Sequence, residues 1–444
     1  MAVIGGIEAT RARLAAMIGQ PEVMVGKEAA SYSAAGEQPV AVVLPENEAQ
    51  MVEVARLARA DGVPVVTWGG GGKQDMEPVQ SRNGIVLGTS RLNAIQELDV
   101  ANLTVTVSAG MVLDDLQREL AREKMFLALD PVDSATSTVG GMLATNSSGP
   151  NRLLYRTARD IVLGMRVVTP LGEAVKAGGK TVKDVAGYDM KKLYIGSWGT
   201  LGCITEATFR TLPLPEASAT VAMVFPELAS ASATVMALLG SFMRPSSADL
   251  ISQGAMPEAD VAYGLRIGEY LLLVQFEGAV EAVERQKREM SELAAKNGVK
   301  STAVLEGERE QQCCQHRKGA LAPEAREGPS ILIKGSVPLN RVQDYVRGVS
   351  GLGTRTKVAA HAGNGVVYAR VAGDESTLVA AADQAQRLAA GCGGFAMVLR
   401  APRAVSEKVP IWPPRSDYGL MRAIKEQLDP GNLWNPARIP GGSR

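Results

Sequence analysis

The sequence predicts an α+β protein in two parts. Three observations support this. Residues 40–68 alternate strand, helix and strand. Glycine-rich stretches recur at 69–73, 131–150 and 196–202. After Pro213 and Pro215 the texture changes to longer apolar strands and longer helices. At 444 residues the chain is long enough for more than one core.

VAVVLP at 40–45 reads as a strand. In the next segment Met51, Val52, Val54, Ala55, Leu57 and Ala58 recur at helical spacing. VPVVTW at 63–68 is a second strand and runs directly into Gly69–Lys73. If the two strands are parallel, the crossover is right-handed. Gly84–Leu87 and Leu103–Val107 predict strands and Leu113–Arg122 a helix. PVDSATSTVGGMLATNSSGP at 131–150 is small and polar with little periodicity, which marks a functional loop. Residues 161–168 predict a strand, and 191–211 a helix start, a glycine loop and a strand.

Beyond Pro215, strands are expected at Thr220–Phe225 and Tyr270–Phe276, and helices at Ala231–Phe242 and Val280–Asn297. Residues 305–328 are charged and predict a helix. Ile331–Lys334, Thr356–His361 and Val366–Val371 predict strands, and Asn340–Val349, Ser376–Ala390 and Tyr418–Leu428 helices.

Composition excludes several functions. There are 47 basic and 47 acidic residues, so no net charge favours a phosphate backbone. Aromatic residues are 4%, too few for a base-stacking platform, and nucleic acid is not an expected partner. Only His316 and His361 exist, so no three-histidine metal site can form. Cys203, Cys313, Cys314 and Cys392 contain no Cys-x-x-Cys spacing for zinc or an iron–sulfur cluster. The N-terminus lacks a signal-peptide layout, and no apolar run is long enough to cross a bilayer. A cytoplasmic location without direct membrane insertion is expected, with peripheral attachment through a partner left open.

Four glycines in a row strip side chains from one turn, so backbone N–H groups can approach an anion. Gly69–Lys73 fits neither the P-loop nor the Rossmann fingerprint. Taken alone, it is equally a plain turn. Together with the donors of Ser134–Gly149 and the Gly196–Gly202 loop, it points to backbone lying close to a large polar ligand such as a dinucleotide.

These segments, with RDIVLGMRVVTPLGE, KDVAGYDMKKLYIGSWGTLGCITEATFR and LMRAIKEQLDPGNLWNP, carry a resemblance. Residues 38–214 resemble the FAD-binding (PCMH-type) domain of the vanillyl-alcohol oxidase superfamily. Within it the likeness is to the glycolate oxidase FAD-binding subunits, then to the D-lactate dehydrogenase branch. The resemblance implies an N-terminal helical extension at 1–37, a two-subdomain FAD-binding domain at 38–214, an α+β cap at 215–404, and a segment at 405–444 packing on the FAD domain. It implies that Gly69, Gly70, Gly71, Gly72 and Lys73 meet the pyrophosphate. Pro131, Ser137, Thr138, Gly140, Gly141, Thr145, Asn146, Gly149 and Asn435 would lie along the flavin. Gly199, Thr200, Gly202 and Ile204 would complete the adenine and ribose side. No attachment motif surrounds either histidine, so FAD is expected to be non-covalent.

For the cap, the resemblance implies that Arg317, in Cys314-Gln-His-Arg-Lys, binds a 2-hydroxyacid carboxylate; a solvated helix charge is the alternative. The related metal motif reads HAGNGVVY here, with Asn364, Val366 and Tyr368 in the liganding places, and GCGG follows at 391–394. No metal is expected. His361 is then a hydrogen-bonded residue beside the flavin, or the base that takes the hydroxyl proton. The implied activity is FAD-linked 2-hydroxyacid oxidation within a complex containing an iron–sulfur subunit and a second flavin subunit. A non-catalytic flavin-binding relay or scaffolding subunit and a stand-alone oxidase are the alternatives.

Overall fold

A computed structural model describes residues 2–19, 23–33, 39–74, 84–131, 134–180, 188–322, 328–353 and 355–438. Parts of several expected segments lie outside these residues: 1, 20–22 and 34–37 of the N-terminal extension, 132–133 of the stretch 131–150, 183–187 of the matched glycine-rich segment, 323–327 of the helix expected over 305–328, and 439–444 of the C-terminal segment. The chain divides into two units. The first comprises 1–148, 157–214 and 414–444, and the second 149–156 and 215–413.

Among the described residues the first unit holds two main sheets, besides the short pair of Met125–Phe126 with Leu212–Pro213. In the smaller main sheet, Ala41–Val43 and Val65–Trp68 both run parallel to Ile85–Gly88, which lies between them. The helix Glu48–Asp61 covers this sheet because Met51, Val54, Ala55, Leu57 and Ala58 share its buried face. Asn47 caps it by accepting from the Gln50 N–H at 2.9 Å, and Gly62 ends it at φ +64°. Leu14 and Ile18, on the N-terminal helix Ala2–Ile18, join the same core.

The second sheet is antiparallel, in the order Ile95–Asp99, Thr104–Ser108, Cys203–Arg210, Val162–Val168, Ala174–Gly178. Helices Leu113–Arg122 and Val139–Thr145 bury their apolar faces against it. The second helix falls inside the stretch expected to be loop. With two glycines in seven residues its helical signal is weak, and Thr138 supplies the cap by accepting from the Gly141 N–H.

The C-terminal segment also belongs to this unit. Trp434 is 1% exposed and lies alongside Val65, with the Asn435 N–H donating to the Val65 carbonyl at 2.8 Å. Lys425 fixes the helix Tyr418–Leu428 from within. Its Nζ donates to the carbonyls of Thr200 at 2.6 Å and Trp434 at 2.7 Å and pairs with Asp429.

The second unit is an eight-stranded antiparallel sheet. Its order is Ser301–Leu305, Ala217–Phe225, Tyr270–Gly278, Ser247–Ser252, Thr356–His361, Val366–Ala372, Ser330–Ser336, Phe395–Arg400. One face packs on helices Leu228–Leu239, Val280–Lys296, Val342–Ser350 and Glu375–Gly391. The other carries Leu271, Leu273 and Ile251 under Cys313 and Leu321, then turns polar toward one end. The charged helix expected over 305–328 spans Gly307–Lys318 and stops at Gly319.

Candidate functional site

In the first unit the three glycine-rich stretches converge. Gly69–Lys73, Ser137, Thr138, Gly140, Gly141, Thr145, Gly199, Gly202 and Ile204 line one open cleft. Backbone meets backbone so closely here that side chains are excluded. A Cβ on Gly70 would lie 1.7 Å from the Thr136 carbonyl oxygen. Gly199 sits at φ +72°, where a Cβ would lie 2.2 Å from Thr67 Oγ1.

Other expected residues stand behind this wall. Asn435 is fully buried, and its Nδ2 donates to Thr67 Oγ1 and to the Gly199 carbonyl, both at 2.9 Å. Its Oδ1 has no partner among the described residues. Thr200 is 7% exposed and donates from Oγ1 to the Ser197 carbonyl at 2.6 Å. Asn146 ends the Val139–Thr145 helix at φ +47°. Pro131 is buried outside the lining. Gly149 groups with the second unit.

Sequence reasoning missed Trp68, Gln74, Cys203 and Arg438, which also line the cleft. Arg438 is 8% exposed and donates to Gln74 Oε1, so a second cation joins Lys73 beside the glycine turn. A lone arginine in a tail carries no motif that would announce this. Burial pushes the Cys203 thiol up to about 12, so it stays protonated and unreactive.

The cleft therefore offers side-chain-free backbone and two cations. Those features fit an anionic dinucleotide. Residues 39–178 match the FAD binding domain family, and residues 214–396 match the C-terminal domain of FAD linked oxidases. The chain is an FAD-linked oxidoreductase. It is 27% identical over 437 residues to the glycolate oxidase subunit GlcD of Bacillus subtilis, covering 93% of this chain and 92% of that one. It is 29% identical over 411 residues to a D-lactate dehydrogenase of Archaeoglobus fulgidus, with 90% of each chain covered. The solved structure of p-cresol methylhydroxylase has the same fold at 16% identity. Its TM-score is 0.73, with 98% of this chain and 97% of that one covered.

The second unit of this oxidoreductase assembles a polar cluster at one end of its sheet. Asp249, Gln275 and His361 come from three neighbouring strands, with Asp249 directly opposite His361. One Asp249 oxygen pairs with His361 Nδ1 at 2.7 Å, and the other accepts from Arg317 at 3.1 Å. Arg317 also donates to Ser247 Oγ at 2.6 Å and Gln275 Oε1 at 3.2 Å, with Cys314 Sγ at 3.9 Å. Both terminal guanidinium nitrogens are thus engaged within the sheet, and the side chain is only 10% exposed. Arg317 is no solvated helix charge.

His361 Nε2 is buried and has no partner among the described residues. Glu310 accepts from Ser218 at 2.8 Å and Thr220 at 3.1 Å, and burial raises its carboxyl above the ordinary range. Tyr155 donates to Glu277 at 3.0 Å, and burial pushes its hydroxyl well above the usual tyrosine range. Among the described residues no cluster of three or more His, Cys, Asp or Glu could hold a metal ion, and no helix is long and apolar enough to cross a membrane.

Proposed function

We propose that this chain oxidises a small 2-hydroxyacid of the glycolate or D-lactate class, with non-covalent FAD, as one subunit of a complex. The observation that carries this reading is the His361 imidazole, held at Nδ1 by Asp249 and bare at Nε2. An imidazole whose Nδ1–H is fixed by a carboxylate presents Nε2 as an acceptor, and the carboxylate stabilises the imidazolium that forms when Nε2 takes a proton. The names of the two relatives supply the substrate class: glycolate and D-lactate are both 2-hydroxyacids.

FAD, when bound, supplies the two-electron acceptor. Gly69–Gly72, Lys73 and Arg438 would hold its pyrophosphate. Ser137, Thr138, Gly140, Gly141 and Thr145 would lie along the ring system, and Gly199, Gly202 and Ile204 beside adenine and ribose. Thr200 and Asn435 would keep that wall in place. His361 takes the hydroxyl proton. Asp249 fixes its tautomer, and Arg317 holds Asp249 in place.

The proposed partners are an iron–sulfur subunit, which would receive the electrons, and a second flavin subunit. The chain has no cysteine motif of its own for such a cluster, and the Bacillus relative is named as a subunit. Oxidation of glycolate or D-lactate by the purified protein with a dye acceptor tests the substrate class; inactivity with both would overturn it. Tagged chain recovered from its own cells tests the partners. Co-purifying iron and sulfide are expected, and a chain that passes electrons to quinone alone would overturn the complex.

A further inference from the structure

The polar end of the eight-stranded sheet holds two cations that the reading above leaves unused. Lys334 and Tyr368 are directly opposed on neighbouring strands. Lys334 Nζ stands 5.9 Å from the centroid of the Tyr368 ring, and that ring meets His361 edge-on at 5.4 Å between centroids. Lysine, tyrosine and histidine therefore follow one another across three strands, the histidine lying diagonally, two residues on from Ala359, which is opposite Tyr368. Arg152 reaches the same end from the short helix Arg152–Tyr155. That helix is seated on the turn after His361: a Cβ on Gly363 would lie 2.6 Å from Leu153 Cδ2.

Neither cation has a carboxylate partner among the described residues. The acidic groups nearby are committed elsewhere, Asp249 to His361 and Arg317, and Glu277 to Tyr155. Burial, and then repulsion from Arg152, push the Lys334 ammonium down to about 8. A half-buried lysine facing a second cation without a counter-charge is an arrangement that an anion completes.

We propose that Lys334 and Arg152 form the subsite that receives the carboxylate of the small acid, with the Tyr368 ring as its wall and His361 Nε2 beside the hydroxyl. This rests on the 2-hydroxyacid reading. It moves the carboxylate away from Arg317, whose terminal nitrogens are already engaged.

Oxalate, a small acid that cannot be oxidised as a 2-hydroxyacid, is the probe. Isothermal titration into the FAD-loaded chain should show saturable binding. Lys334→Met and Arg152→Met should each weaken it by about tenfold or more, the loss of one charge-assisted hydrogen bond. Lys334→Arg should restore most of it. Flavin content reports that each variant is folded, and Arg152, on a short partly exposed helix, is the safer substitution if Lys334→Met fails to fold. No binding by the wild-type chain, or equal binding by folded Met variants, would overturn the subsite. The two readings fail separately. Oxalate binding through Lys334 without flavin reduction by any 2-hydroxyacid keeps the subsite and removes the oxidation. Flavin reduction by D-lactate with an unchanged KM in Lys334→Met does the reverse.

Discussion

Asp249 holds Nδ1 of His361 at 2.7 Å through one carboxylate oxygen while its other oxygen receives Arg317. The residues are 112 apart in sequence but directly opposed in the sheet. A carboxylate with two such partners is held in place, and the imidazole beside it is fixed in orientation.

Asp249→Asn should preserve the shape of this contact and remove its charge. Turnover should fall by about a hundredfold or more if His361 is the base, while flavin content stays constant. Steady-state kinetics alongside the visible spectrum check this. Unchanged turnover would remove Asp249 from a positioning role.

Arg317→Met should separate a carboxylate clamp from a structural cation. Leaving Asp249 buried without its guanidinium costs about 3–5 kcal/mol. The expected outcome is a lower Tm and lower kcat, with oxalate affinity altered less than in Lys334→Met. A loss confined to KM at unchanged Tm would restore Arg317 as the substrate ligand.

Gly70→Ala tests the cofactor cleft. The added methyl would collide with the Thr136 carbonyl 1.7 Å away, forcing two backbone segments apart. The folded variant should purify without flavin. Full flavin occupancy would show that the turn does not hold FAD.

Affinity for the acid should also depend on pH. Lys334 is pushed down to about 8 and faces Arg152 and, past the Tyr368 ring, His361. Its charge is present below that value and lost as pH rises through it. Oxalate binding should therefore weaken from pH 7 to pH 9 in the wild-type chain, and more weakly so in Lys334→Arg, whose guanidinium keeps its charge. The same slope in both proteins would contradict the assignment.

The glycine-lined cleft was legible in the sequence because glycine runs declare themselves without an alignment. Gly69–Gly72, Gly140, Gly141 and Gly199 all reach one cleft. The strand–helix–strand unit was legible too, from the helical spacing of Met51 to Ala58. Only the placement of Ile85–Gly88 between its strands needed the fold. The polar cluster was half hidden. His361 and Arg317 stand out by rarity and by resemblance to a motif, but Asp249 lies in Ser247–Ser252, a short strand with too few apolar residues to show alternation. Its meaning comes from cross-strand register, a long-range fact with no local trace. Lys334 closes the expected strand Ile331–Lys334, and Arg152 lies just beyond the stretch 131–150, in no expected element. Their shared lack of counter-charge exists only once the sheet and the short helix are assembled.

The most direct test is an anaerobic visible spectrum of the purified FAD-loaded chain, recorded before and after adding glycolate and D-lactate. The account predicts that the oxidised flavin bands bleach with at least one of the two acids and that Asp249→Asn slows the bleaching. Oxidised bands that persist with both acids, in a chain that retains its flavin, would contradict it and leave a flavin-binding subunit that does not itself oxidise these acids.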